Sequence, residues 1–155
     1  MALETITLAV GPEEEGRVGE LTEAVLDVAV PTDATVVLLH VFSQSAYDQG
    51  VSEAGYDPDD PPPANTLATR LESVDAISET LEDAGVDYRV RGEIGDVTDS
   101  IVRTIDETDS DMLYIGGRRR SPTGKAVFGS TVHRLMMNAP CPVTFVRSGL
   151  GQDAE

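Results

Sequence analysis

The stretch Ala34 to Val41 (ATVVLLHV) constrains the fold more than any other part of the chain. It is an almost continuous apolar run, the mark of a central strand buried on both faces of a parallel sheet. The rest of the chain alternates around it. Leu3 to Val10 (LETITLAV) reads as a strand closed by Gly11-Pro12. From Glu13 to Val30, Val18, Leu21, Val25, Leu26 and Ala29 recur near 3.6, which predicts an amphipathic helix ending in a turn at Pro31-Thr32-Asp33. Ala64 to Ala84 places Leu67, Leu71, Val74, Ile77 and Leu81 on one helical face, with Gly85 as the stop. Val86 to Arg91 predicts a short strand ending in Gly92. A helix follows, capped by Asp96 or Thr98, with Val97, Ile101 and Ile105 inward. Met112 to Ile115 is a strand, Gly129 to Met137 a helix, and Pro142 to Val146 (PVTFV) the last strand. Strands alternating with helices of this length predict a single doubly wound α/β domain with a parallel sheet.

Such sheets bind ligands outside the carboxyl ends of their strands, where the strand order reverses. The loops at Gly11, at Val41, at Gly92 and after Ile115 are therefore the places to look. Residues 43–63 (SQSAYDQGVSEAGYDPDDPPP) break the rhythm, being polar, rich in Gly and Pro, and acidic at the end. They read as a long mobile loop or as a lid over a neighbouring site, and length alone does not choose. Residues 1–148 make up the domain, and 149–155 a flexible acidic tail.

Charge and composition exclude several classes. Asp plus Glu number 28 against 11 Lys plus Arg, a net charge of −17, and Lys125 is the only lysine. Such an acidic, lysine-poor surface fits a high-salt cytoplasm, where screening weakens the repulsion among carboxylates. It argues against general nucleic-acid binding, which needs a basic face. The chain has no apolar run of the roughly 18–20 residues that cross a bilayer. Met1-Ala2-Leu3-Glu4 lacks a basic leader region, so a cytoplasmic location is expected. One cysteine, Cys141, rules out an internal disulfide, and two histidines, His40 and His133, leave little for a zinc site.

One segment departs from the acidic background. Between Gly116 and Thr131 the chain reads GGRRRSPTGKAVFGST, with Arg118, Arg119, Arg120 and Lys125 within eight positions. Gly116 and Gly117 let the backbone turn or approach a ligand closely. Gly129-Ser130-Thr131 opens a helix whose first N–H groups and hydroxyls suit an anion. A glycine turn, a cationic loop and a helix N-terminus together describe a phosphate cradle. It is not a Walker A loop: Arg119 stands where the first glycine would be, and Ala126 replaces the Ser or Thr that holds magnesium.

From residue 3 to 147 the chain resembles the universal stress proteins of the UspA family, as an acidic member of haloarchaeal type. The residues that carry the likeness are ITLAV, VVLLHV, and MLYIGG followed by FGSTVHRLMMNAPCPVTFV. Nucleotide-binding members have a glycine, two residues, a second glycine, nine residues, then Gly-Ser or Gly-Thr. Here Gly116 matches the first glycine and Gly129-Ser130 the end, while Arg119 replaces the second glycine. The resemblance implies a five-stranded sheet of order 3-2-1-4-5, like that of the adenine nucleotide alpha hydrolases. It also implies ATP or a related adenine nucleotide between strands one and four, with Mg2+ as a candidate companion. Adenine would lie near Val10 and Val41, and phosphates near Gly116, Gly129, Ser130 and Thr131. Arg118, Arg119 and Lys125 would add charge. Arg119 either fills the phosphate pocket or replaces the missing glycine's backbone approach with a cation. Gly11 stands where the family usually has an Asp, which removes a polar contact from the nucleoside region.

The same resemblance implies a homodimer pairing Val143, Thr144, Phe145 and Val146 across a twofold axis. It implies a stress-response role in which ligand occupancy alters residues 43–63 and 117–128 and thereby the choice of protein partners. The alternative is a nucleotide-free interaction module, for which Arg119 and Gly11 speak. A hydrolase of the related enzyme class would need an SGG-type pyrophosphate loop where this chain has AVGPEEEG. No catalytic constellation is evident, so fast turnover is not expected, and slow ATP hydrolysis stays open. His133 is expected to be a partly buried packing residue, His40 a satisfied core or strand-end residue, and Cys141 buried or interfacial. Tyr47, Asp48 and Tyr56 are placed only by position as candidates to touch a nucleotide.

Overall fold

Apolar residues at every position of a strand need a protein layer on both faces, and the computed structural model supplies both. It describes residues 3–11, 18–117 and 130–147. The strands are β1 (Thr5–Ala9), β2 (Thr35–Phe42), β3 (Tyr88–Ile94), β4 (Met112–Gly117) and β5 (Val143–Arg147). The helices are α1 (Val18–Thr32), α2 (Gln44–Glu53), α3 (Ala64–Ala68), α4 (Glu72–Asp83), α5 (Val97–Thr108) and α6 (Ser130–Asn138). The sheet has the order β3-β2-β1-β4-β5, and every pairing is parallel. Strand alternation sorts the core. Ile6, Leu8, Val36 and Leu38 meet Leu21, Val25, Val74, Ile77 and Leu81 of α1 and α4 on one face. Leu39, Leu113 and Ile115 meet Ile101, Ile105 and Leu135 of α5 and α6 on the other. Each such side chain, fully buried, contributes about 1.5–3 kcal/mol.

The sheet order and strand sequence follow the expectation; several boundaries do not. The predicted turn at Pro31 lies inside the last turn of α1, because proline's fixed φ is helical and only one donor is lost there. Asp33, at φ 57°, ends the helix, with Ala34 N–H donating to Ala29 C=O at 3.2 Å and Asp33 N–H to Val30 C=O at 3.3 Å. Residues 43–63 are not a loop throughout, since α2 occupies their first half. The Ser43 hydroxyl caps that helix by accepting from Ala46 N–H at 3.1 Å. Tyr47 and Val51, one turn apart, enter a satellite core with Phe42, Leu67 and Ala68. Ser, Gly, Asp and Gln hid this helix in the sequence. Its stability comes from packing on α3, not from propensity.

The single helix predicted over 64–84 is two, α3 and α4, with Leu71 extended (φ −73°, ψ 136°) between them. The cause lies in β3, which continues past Gly92 to Ile94. At Gly92 the α3 backbone crosses so closely that a Cβ would lie 2.2 Å from Ala64 O. The Asn65 side-chain carbonyl accepts from Gly92 N–H at 2.7 Å, so α3 covers the outer edge of β3. At β5, the other end of the sheet order, no described strand lies on the outer side.

Candidate functional site

Strand order reverses at β1, whose neighbours β2 and β4 lead their chains to opposite sides of the sheet. The parity of the strands decides which residues share this end. Ala9 and Val41 pack with the α5/α6 layer, and Gly11 follows Ala9 in the same alternation. A Cβ at Gly11 would meet nothing within 4 Å among the described residues, which leave open space beside the end of β1. Val10 has the opposite parity. Its side chain is buried in the α1/α4 layer, and only its backbone reaches this end.

Two helices start here. Gly95 (φ 140°) and Asp96 turn the chain from β3 into α5, and the Asp96 carboxylate caps that helix by accepting from Asp99 N–H at 2.9 Å. That backbone hydrogen bond, ahead of the nearby Arg134 guanidinium, holds the Asp96 carboxyl below its ordinary pKa. Thr98, the other capping candidate, has no hydrogen-bond partner for its hydroxyl. The second helix, α6, starts at Ser130. Its Arg134 reaches Asp96 at 3.5 Å and Asp99 at 3.9 Å, which ties the two helix starts together at the carboxyl end of the sheet.

Of the residues singled out in the sequence, Gly11, Val41, Gly116, Ser130 and Thr131 come together at this end. Gly116 is half-buried in β4 opposite Val146, Ser130 is exposed, and Thr131 is half-buried. Arg118, Arg119, Lys125 and Gly129, with Arg120 and the whole cationic segment, lie outside the described residues. Gly92 is in mid-strand, two residues short of the end of β3, so that loop begins at Gly95. Tyr47 turns into the satellite core and donates its hydroxyl to Pro62 C=O, Asp48 accepts from Gln44 at 3.0 Å, and Tyr56 stacks under Arg70. His133 is exposed, contrary to expectation, because α6 turns Val132 and Leu135 inward instead. Cys141 is half-buried, and burial pushes its thiol pKa up. Among the described residues no group of three or more His, Cys, Asp or Glu could hold a metal ion. No helix among them is long and apolar enough to cross a membrane.

A feature that the sequence did not reveal lies on the opposite face. A cavity of about 660 Å³ is lined by His40, Phe42, Leu67, Arg70 and Leu71, among others. His40 is 7% exposed, its Nδ1 lies 2.8 Å from Val10 O, and its ring meets Phe42 edge-on. A carbonyl oxygen only accepts, so this contact assigns the ring proton to Nδ1.

Burial lowers the His40 pKa, and the Val10 carbonyl opposes this only in part. The unfolded chain takes up its proton near pH 6.5, and the folded chain only at lower pH. Stability from this group is therefore complete above about pH 6.5 and falls as pH drops through the folded-state value. We expect the urea midpoint of the wild type to decline below about pH 6.5, and His40→Asn, which keeps an N–H donor, to lose that part of the slope. An equal slope in both proteins would show that burial of His40 does not govern it.

Comparison with known proteins gives one consistent result. The model of the universal stress protein family matches residues 3–147. A universal stress protein of Mycolicibacterium smegmatis is 38% identical over 68 residues, which span 43% of this chain and 52% of that protein. The universal stress protein of Archaeoglobus fulgidus in complex with dAMP superposes with a TM-score of 0.66 at 18% identity, covering 95% of this chain and 100% of that one. A universal stress family protein of Arabidopsis thaliana with AMP bound gives 0.64 at 15% identity, over 96% and 94% of the two chains. At these identities the superpositions establish the fold.

Proposed function

The chain belongs to the universal stress protein family, and on that premise we propose that it is a regulatory protein that binds ATP or a related adenine nucleotide. The observation that carries this reading is the carboxyl end of the sheet. There, open space at Gly11 lies at the order reversal, and the start of α6 presents Ser130 and Thr131. Helix N–H groups and hydroxyls in that position suit a phosphate. In the sequence, the four cations from Arg118 to Lys125 directly precede this helix and add the charge such a group needs. The dAMP and AMP complexes of the structural neighbours support the choice of an adenine nucleotide. ATP in particular, and Mg2+ with it, are part of the proposal. We read the protein as a binding switch in the cytoplasm, not a fast catalyst. The acidic, lysine-poor composition supports a high-salt setting.

The test is to purify the protein in molar salt, denature it, and weigh what is released, then titrate the emptied protein with ATP and Mg2+. A stoichiometric adenine nucleotide is expected, with affinity reduced about tenfold to a hundredfold in Ser130→Ala, the worth of one hydrogen bond to a charged group. An empty protein that binds no added nucleotide would transfer the reading to a nucleotide-free interaction module. Arg119 at the family's glycine position favours that second reading.

We also propose a homodimer through β5, using Val143, Thr144, Phe145 and Val146. The two ends of the sheet differ: α3 covers β3, whereas no described strand covers β5. Close by in the chain, at the end of α6, Met136 and Met137 are 57% and 72% exposed, apolar area that a partner copy would bury.

A further inference from the structure

The start of α5 holds a polar group that the fold itself leaves unused. Thr98 is 3% exposed, and its Oγ1 has no hydrogen-bond partner. A buried hydroxyl without a partner forfeits the hydrogen bonds it would make in water, and native structures contain few such groups. Its direction follows from helical spacing. Thr98 lies three residues before Ile101 and seven before Ile105, and both isoleucines pack on Leu39, Leu113 and Ile115 of the sheet. Thr98 therefore shares the sheet-facing stripe of α5, one turn nearer the carboxyl ends of the strands. Val41 and Ala9, which border that end, belong to the same layer.

Charge separates the roles of the two helix starts. Beside Thr98 stand Asp96 and Asp99, with Arg134 as the only described cation bridging them. This end is unsuited to a phosphate. The start of α6 has hydroxyls and no acid in its first turn. A nucleotide lying across both would put its phosphates at α6 and its uncharged base at α5.

We propose that the Thr98 hydroxyl is a positioning contact for the base of the bound nucleotide. The ligand completes a hydrogen bond that the protein leaves open at the buried start of α5. This rests on the reading that the carboxyl end of the sheet binds an adenine nucleotide. A hydroxyl both donates and accepts, so it can meet a ring nitrogen or an exocyclic amine of a purine. Thr98 thus supplies a polar contact at the base end, where Gly11 has no side chain to offer.

The experiment compares wild type, Thr98→Val and Thr98→Ser, each stripped of ligand, by calorimetric titration with AMP in molar salt. Inorganic tripolyphosphate is the probe that lacks a base. Valine keeps the shape and removes the hydroxyl, and serine keeps the hydroxyl. Thr98→Val is expected to weaken AMP binding about fivefold to tenfold, Thr98→Ser to bind within about twofold of wild type, and tripolyphosphate to bind all three alike. The ligand-free melting temperature of Thr98→Val should be no lower than that of wild type, because no internal hydrogen bond is lost. Equal AMP affinity in wild type and Thr98→Val would overturn the proposal, showing that the ligand does not reach the hydroxyl, and the nucleotide reading would stand. A wild type that binds neither AMP nor ATP would overturn both, and one that binds only ATP would have the three proteins compared with ATP, with the same outcomes expected. A parallel loss of tripolyphosphate binding, or a lower melting temperature, would show a structural role for Thr98 and overturn this proposal alone.

Discussion

Gly92→Ala is expected to destabilise the protein by about 3 kcal/mol or more, an unusually large effect for one added methyl group. The new Cβ would lie 2.2 Å from Ala64 O, 2.5 Å from Ala64 C and 3.0 Å from Asn65 N. These are backbone atoms, so no side-chain rotation relieves the contact. Either α3 moves away from β3 or the strand bends. If α3 moves, the bond from Gly92 N–H to the Asn65 side chain breaks. Leu67 and Ala68 then withdraw from Phe42, Tyr47 and Val51, so the satellite core loosens as a unit. The β3 edge is uncovered at the same time, which exposes strand groups to aggregation. Urea denaturation would show the loss as a lower midpoint. A midpoint within experimental error of wild type would mean that α3 is held only loosely against the sheet. As a control, Gly11→Ala adds the same methyl where no described residue lies within 4 Å, and stability there should change little.

Val143→Pro is expected to convert the proposed dimer into a folded monomer. Leu113 is in register with Val143, and Leu113 N–H donates to Pro142 C=O at 2.9 Å. Backbone groups along a strand alternate sides, so the Val143 N–H faces away from β4, toward the outer edge. Proline there removes an outward donor and places its ring at the edge, and it leaves the ladder with β4 in place. The half-buried valine side chain is exchanged as well, a packing loss of about 1 kcal/mol. Sedimentation in molar salt should then report a monomer, with helix and strand content unchanged by circular dichroism. A dimer that survives the proline would place the interface elsewhere on the surface. A wild type that sediments as a monomer would remove the dimer from the proposed function.

Much of this was legible in one dimension. The period-two and period-3.6 patterns are local consequences of which face is buried, so β1, β2, β4, β5, α5 and α6 fell within a few residues of their predicted spans. The hydroxyls at the start of α6 could be read because helix starts depend on residue type at close spacing, whereas Gly116 and Gly117, expected to turn the chain, are the last residues of β4. Three features were not legible. The α2 helix has a polar, glycine-containing sequence and is held by Tyr47 and Val51 docking on residues far along the chain. The break between α3 and α4 answers to Gly92, more than twenty positions later. The unpartnered hydroxyl of Thr98 looked like a capping group, and only the choice of Asp96 as the cap left it without a bond.

By itself, then, the amino-acid sequence determined the class of fold and directed the proposal of a ligand to one end of the sheet. Strand burial, helix periodicity and the direction of parallel crossovers are imposed by side-chain type and chain handedness, whatever the contacts in detail. The tertiary structure decided which groups remain available there. It turned Val10 and Tyr47 into cores, spent His40 on a backbone carbonyl, covered one sheet edge with α3, and left Thr98 buried without a partner. Whether a polar group is satisfied depends on all of its neighbours in space, and those neighbours are set only when distant segments pack.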